Sequence, residues 1–274
     1  MGYPLGLDVD EHPPPGGWDA AGGPTVVLVH GSLDRGASFT RTIRRLSDLG
    51  VVTYDRRGYE GSFDGSTLDL AGHIGDLLEV VAAIPGGRPV TAVGHSVGGD
   101  VVVGAALEQP TRFASLGAYE PPMPWLGLPR RTAPRPWLPG DPGDEAEAFF
   151  RRMVGDATWD RLPAEVRARR RAEGPALVAD LVAMRGEAPF DVTALRVPVV
   201  FGRGGPASAA HHRDTVAWLA SHVPGAVLEE IDGAAHGAHL THPDGFARLV
   251  RMAVALGEGR TRSTDPAAGS AVAP

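Results

Sequence analysis

The chain has 274 residues, 26 basic and 33 acidic side chains and a formal charge of −7, with a pI of about 5.8. That length suits one α/β domain with room for an inserted subdomain, and the acidic balance speaks against a nucleic-acid or anionic-membrane partner. Every basic residue is Arg, and Lys, Cys and Asn are absent. This removes cysteine nucleophiles, disulfides, thiolate metal sites, Schiff-base lysines and the lysine of a phosphate-binding loop. The same bias, with only four Ile, fits a GC-rich bacterial genome. No apolar run approaches the ~20 residues of a membrane span. The first residues lack the basic-then-apolar order of a secretory signal, and Gly6 stands where a myristoylation signal wants Ser or Thr. A cytoplasmic protein with a small-molecule partner is expected, its oligomeric state open.

Residues 1–24 are rich in Pro and Gly and leave room for at most one short strand. Residues 25–29 read as a buried strand running into His30-Gly31. Residues 38–48 carry Phe39, Ile43 and Leu46 at helical spacing, with Leu49 just beyond. A second strand, 51–54, ends at Asp55-Arg56-Arg57-Gly58. A helix over 68–84 presents Leu70, Ile74, Leu77, Leu78 and Val81 on one face. Strand 89–94 meets Gly94-His95-Ser96-Val97-Gly98, and helix 97–108 follows, stopping before Pro110. Strands at 115–119, 197–201 and 226–231 and a helix at 243–256 complete the alternation. Strands alternating with helices predict a mostly parallel central sheet with helices on both faces. Between 121 and 194 the rhythm breaks. Eight prolines fall within 121–142, then helical segments follow near 144–154, 163–173 and 175–186. The expected division is an N-terminal segment 1–24, an α/β core of 25–120 and 195–256, a helical cap of 121–194, and a disordered tail of 257–274.

The chain's one Gly-x-Ser-x-Gly takes meaning from its flanks. A serine on a tight strand-to-helix turn is pushed out at the sheet edge, with the next backbone N–H beside it. Gly94 and Gly98 keep side chains from colliding across so sharp a bend. A serine hydroxyl is a poor nucleophile near neutral pH, so a base must take its proton. His236, on a loop after the last strand, is the best candidate. The run His236, His239, His242 also has a metal-like spacing, but no Glu base lies within it and Pro243 suggests a loop, so no metal is expected.

Four segments together resemble the α/β-hydrolase family, over most of 25–256. His30-Gly31-Ser32 is similar to the family's oxyanion loop. Tyr54-Asp55-Arg56-Arg57-Gly58-Tyr59-Glu60-Gly61-Ser62 resembles its Asp-x-Arg-Gly-x-Gly-x-Ser turn, with Glu60 in place of Gly. Residues 94–99 resemble its nucleophile elbow, and Asp232-Gly-Ala-Ala-His236 its histidine loop. The resemblance implies an α/β-hydrolase fold with no cofactor, Ser96 as nucleophile and His236 as base. It further implies an oxyanion hole from the N–H of Val97 and a second N–H from Ser32 or Leu33. The usual acid, an Asp soon after the 197–201 strand, is missing. Glu120, directly after strand 115–119, is favoured over Asp214 or Asp232, because some members place the acid at that neighbouring strand end. The bland alternative for Glu120 is an ion pair at the start of the cap.

The resulting expectation is a serine hydrolase of a carboxylic ester, thioester or lactone of a small apolar substrate, acting through an acyl-enzyme. Met123, Trp125, Leu126, Trp137 and Trp159 are expected to line the pocket or to hold the cap on the core. C–C bond hydrolysis, perhydrolysis or a cyclisation of secondary metabolism on the same triad is the enzymatic alternative. A ligand-binding protein with little turnover is the alternative from another class. His30 and His73 read as structural, and His95 as packing.

Overall fold

The structure is a computed structural model that describes residue 3 and residues 6–18, 23–128 and 140–264. Seven strands form one sheet in the order β1-β3-β2-β4-β5-β6-β7. They are β1 (Val9–His12), β2 (Thr25–Val29), β3 (Gly50–Tyr54), β4 (Val90–His95), β5 (Phe113–Tyr119), β6 (Val199–Gly204) and β7 (Val227–Ile231). β1 pairs antiparallel with β3; every other pairing is parallel.

Successive residues of a strand point to opposite faces, and both faces are covered. Val27 and Val29 of β2 pack into one core with residues of helices α2 (Leu70–Ala83), α3 (Val97–Glu108) and α8 (Ala210–His222). Val26 and Leu28 pack into a second core with Phe39, Leu46 and residues of the final helix, α10 (Pro243–Thr264). The central strands are therefore apolar on both sides, as a buried parallel sheet requires.

Two elements depart from the sequence expectation. The helix expected over 38–48 is only a 3₁₀ turn (Gly36–Phe39) and a single α-turn, α1 (Thr40–Ile43). Beyond it the chain closes through short-range bonds such as Leu46 N–H to Ile43 C=O and Leu49 N–H to Leu46 C=O. The final helix does not stop at 256 but runs on to Thr264, so 257–264 is not irregular tail. At Gly257, the first residue of the expected tail, α10 passes so close to β5 that a Cβ would stand 2.9 Å from Ser115 Oγ.

Between β5 and β6 the described chain forms helices α4 (Pro142–Val154), α5 (Asp156–Arg161), α6 (Ala164–Ala172) and α7 (Gly174–Ala183). Asp141 caps α4 by accepting from the amides of Gly143 and Asp144. α4 packs on α5, α6 and α7. A small cluster of Leu33, Tyr59, Ala146, Ala176 and Leu177, with Phe149, Phe150 and Leu181 against it, joins these helices to the sheet's loops.

Candidate active site

The parallel strands β4, β5 and β6 end side by side, and Ser96 and Glu120 follow the ends of the first two. Ser96 follows β4 and begins α3. Its backbone is left-handed, with φ 54° and ψ −129°, a conformation that costs a non-glycine residue on the order of 1–3 kcal/mol. The flanking glycines make the bend possible. A Cβ on Gly94 would collide with the carbonyl of Gly98, and one on Gly98 with the carbonyls of Val29 and His30. Ser96 caps the start of α3 without a side-chain cap bond. Among the described residues the Ser96 hydroxyl makes no hydrogen bond, a looseness common in sites without substrate.

Glu120 follows β5, also with positive φ (47°), and is fully buried. Its Oε2 accepts from His236 Nδ1 at 2.7 Å. Its Oε1 accepts from the Gly204 amide at 2.8 Å and from the Ser208 hydroxyl at 2.5 Å. Burial pushes the carboxyl pKa up, but the bonds from His236, Ser208 and Gly204 outweigh it and hold the group below its ordinary value. A carboxylate thus faces the imidazole. With its Nδ1 proton given to Glu120, His236 carries the lone pair on Nε2. The loop after β6, which has no carboxylate until Asp214, supplies donors to the neighbouring strand's acid instead. Asp214, in α8, and Asp232 are exposed and make no bond to His236 among the described residues.

The other two histidines of the 236–242 run lie elsewhere. His239, buried in the short helix α9 (Ala238–Thr241), bonds Asp34 through Nε2 at 3.1 Å. His242 Nδ1 meets the Thr241 hydroxyl at 2.9 Å. His95 Nε2 donates to the His236 carbonyl at 2.8 Å, and its ring packs 4.7 Å from that of His236 and 4.2 Å from that of His239. It buttresses the histidine loop. Two groups bring three ligand-type atoms within 4.8 Å of one another, namely Asp34, His95, His239 and Glu120, His212, His236. In the first Asp34 is already taken by His239; in the second both Glu120 oxygens are engaged.

His30 holds the loop after β2. Its Nε2 accepts from the Arg56 amide at 2.8 Å, so its Nδ1 proton goes to the Gly31 carbonyl at 2.7 Å. Burial, helped by Arg56, pushes this imidazole down to about 3, so it stays neutral and keeps that tautomer. The two amides considered for the oxyanion, those of Ser32 and Leu33, follow Gly31 on this loop. The Ser32 hydroxyl donates to Asp180 at 2.7 Å.

A cavity of about 840 Å³ opens over these groups, with Ser32, Leu33, Ser96 and His236 in its wall. Its apolar side comes from Phe149, Phe150, Met153 and Val154 of α4, with Leu162 and Val166. Of the two roles expected for the aromatic and apolar residues of the cap, lining and anchoring, the described ones take the second. Met123 is core, Trp125 and Leu126 pack against that core, and Trp159 is buried against Phe150. Trp137 lies outside the described residues. A large aromatic in an Arg- and Glu-rich helix carries the same sequence signal whether it lines a pocket or anchors a helix. Sequence reasoning missed Ser208, Gly204 and Asp180. The signal for Asp180 is one carboxylate inside the apolar run of α7, which is tolerated only when fully bonded.

The α/β hydrolase family model matches residues 26–249. The chain belongs to the α/β hydrolase family. With that membership it is an enzyme of the hydrolase kind, and its sheet order and helix layers agree with the family's fold. A curated relative, polyketide synthase ThaQ of Burkholderia thailandensis, is 29% identical over 253 residues, 83% of this chain. The chain spans only 12% of that protein's length. Among solved structures, the enol-lactonase from Burkholderia xenovorans LB400 is similar with a TM-score of 0.69 at 18% identity, over 91% of this chain and 96% of that one. A thermophilic esterase from Thermogutta terrifontis is similar with a TM-score of 0.63 at 19% identity, over 90% of this chain and 92% of that one. At such identities the likeness is one of fold.

Proposed function

We propose that this α/β hydrolase is a serine hydrolase that cleaves a carboxylic ester, thioester or lactone of an apolar acyl group through an acyl-enzyme. The observation that carries the reading is the 2.7 Å bond between His236 Nδ1 and the buried Glu120 carboxylate. It leaves the lone pair on Nε2 of an imidazole that shares the cavity wall with Ser96.

In the first half-reaction Ser96 Oγ attacks the substrate carbonyl while His236 Nε2 takes the hydroxyl proton. Negative charge moves onto the carbonyl oxygen, where the amides of Val97 and Ser32 stabilise it. Glu120 stabilises the imidazolium. Collapse breaks the carbonyl–leaving-group bond, and His236 returns its proton to the departing alcohol, thiol or ring oxygen. In the second half a water gives its proton to His236 and attacks the acyl-enzyme, releasing the acid and free Ser96. The α4 wall of Phe149, Phe150, Met153 and Val154 supports an apolar acyl group, held by burial worth roughly 25 cal/mol per Å².

The similarity to a segment of a polyketide synthase favours a second reading on the same residues. There the acyl-enzyme is opened by a hydroxyl of the acyl chain itself, giving a ring in place of an acid. A panel of aryl esters of rising chain length, acyl thioesters and lactones, each run with wild type and Ser96→Ala, tests both. Turnover that vanishes in Ser96→Ala supports the first reading, and cyclic product from a hydroxyacyl thioester supports the second. Tight binding of a panel member without turnover would make the protein a binder on a hydrolase fold.

A further inference from the structure

Asp180 is a buried carboxylate that the proposed reaction does not use, and it has an unusual set of partners. It sits on α7 and is 3% exposed. Arg56 grips it with two bonds of 2.7 and 3.2 Å. The Tyr59 hydroxyl donates at 2.7 Å, and His73 Nε2 stands at 3.3 Å. The remaining donor is the Ser32 hydroxyl, also at 2.7 Å. One side chain from the inserted helices thus ties together α2, the 55–62 turn and the loop after β2. Burial alone would push the Asp180 pKa up, but Arg56 and His73 drive it far below the carboxylate range, so the anchor stays charged.

A second fastening lies beside it. Glu60 occupies the position where the family turn carries Gly, and its φ is 38°. It keeps that strained backbone while its side chain pairs with Arg170 and, at 2.9 Å, with Arg169 of α6. Its amide donates to the buried Glu173 carboxyl at 2.9 Å. Both fastenings join the same turn to α6 and α7. No ion pair among the described residues joins α4 to the sheet or its loops.

Resting on the serine-hydrolase reading above, we propose that Asp180 is a positioning residue for the oxyanion loop, so that α6 and α7 are a fixed part of the active site and not a moving lid. A free serine hydroxyl samples three staggered rotamers. Bonded to a buried, immobile carboxylate, a charge-assisted contact, the Ser32 side chain holds one, and the peptide carrying its N–H is held with it. Oxyanion stabilisation depends on donors that are already in place when charge develops.

The test compares full-length wild type, Ser32→Ala, Asp180→Ala and the double variant. Ser32→Ala removes only the hydroxyl and keeps the backbone N–H. The readouts are the rate of Ser96 modification by a fluorophosphonate, kcat and KM on an aryl ester, and thermal stability. Ser32→Ala is expected to lower the modification rate and kcat about tenfold, with KM and Tm close to wild type. In the Asp180→Ala background the same change is expected to cost nothing further, because no acceptor for the Ser32 hydroxyl remains at that position. Should Asp180→Ala fail to fold, Ser32→Ala alone decides. A Ser32→Ala protein modified within twofold of the wild-type rate overturns the inference, as does a full tenfold loss that persists in the Asp180→Ala background. A wild type that resists the probe overturns the serine-hydrolase reading itself, a result distinct from either.

Discussion

Replacing Glu120 by Gln should disable the protein through a proton on the wrong nitrogen. The Gly204 amide donates to Oε1 and cannot accept. The new side chain must therefore place its carbonyl oxygen there and its NH2 group where Oε2 now faces His236. An NH2 only donates, so His236 Nδ1 must become the acceptor and the ring proton moves to Nε2. The lone pair that would take the Ser96 proton is then gone, although every heavy atom stays in place. Loss of a triad acid by this route lowers kcat by about 10⁴, or about 5.4 kcal/mol in the barrier. Steady-state hydrolysis of an aryl ester measures the loss, and imidazole nitrogen shifts by NMR report the tautomer. Glu120→Gln retaining kcat within about tenfold of wild type would refute the reasoning, as would an unchanged tautomer.

Acid stability should report the same group. Glu120 has a lowered pKa when folded, so its stabilisation is present above the unfolded value of about 4.5 and is lost as pH falls through the folded value. Wild type should melt above Glu120→Gln near neutral pH, with the gap closing as the pH falls below that unfolded value and through the lower folded one; melting curves across the acid range check it, and a constant gap would contradict it. Gly98→Ala should cost more than about 3 kcal/mol or prevent folding, because the added methyl meets the Val29 and His30 carbonyls; urea unfolding measures it, and a loss under 1 kcal/mol would contradict the elbow geometry. Breaking the buried Arg56–Asp180 pair with Arg56→Leu should cost about 3–5 kcal/mol, read from the same unfolding curves. Phe150→Ala should raise KM for long acyl esters more than for acetyl esters, since Phe150 lines the cavity; equal effects on both would place the acyl group elsewhere.

The parts of the site that the sequence made legible are those where local backbone demands particular residues. Gly94 and Gly98 are spaced for a bend that no side chain allows, and that spacing reads directly. Glu120 could be found because a strand end carried a carboxylate while the neighbouring loop lacked one. Its donors Gly204 and Ser208 could not, since a loop amide and a serine have no pattern that names their acceptor. Asp180 was hidden for a related reason: Ser32 and Asp180 are 148 residues apart, and only the packing of α7 brings them together. At 38–48 the apolar spacing recorded which residues face the core but not whether an unbroken helical ladder connects them. Small, polar residues from Gly257 on carry no apolar stripe to show that α10 continues to Thr264, and the bare Gly257 is what its close passage over β5 requires.

The proposed nucleophile, Ser96 activated by His236 and Glu120, can be read out by incubating the full chain with a fluorophosphonate and locating the label by peptide mass spectrometry. One phosphonyl adduct is expected, on the peptide carrying Ser96, absent from Ser96→Ala and formed far more slowly by Glu120→Gln. No adduct, or an adduct on another residue, would overturn the assignment.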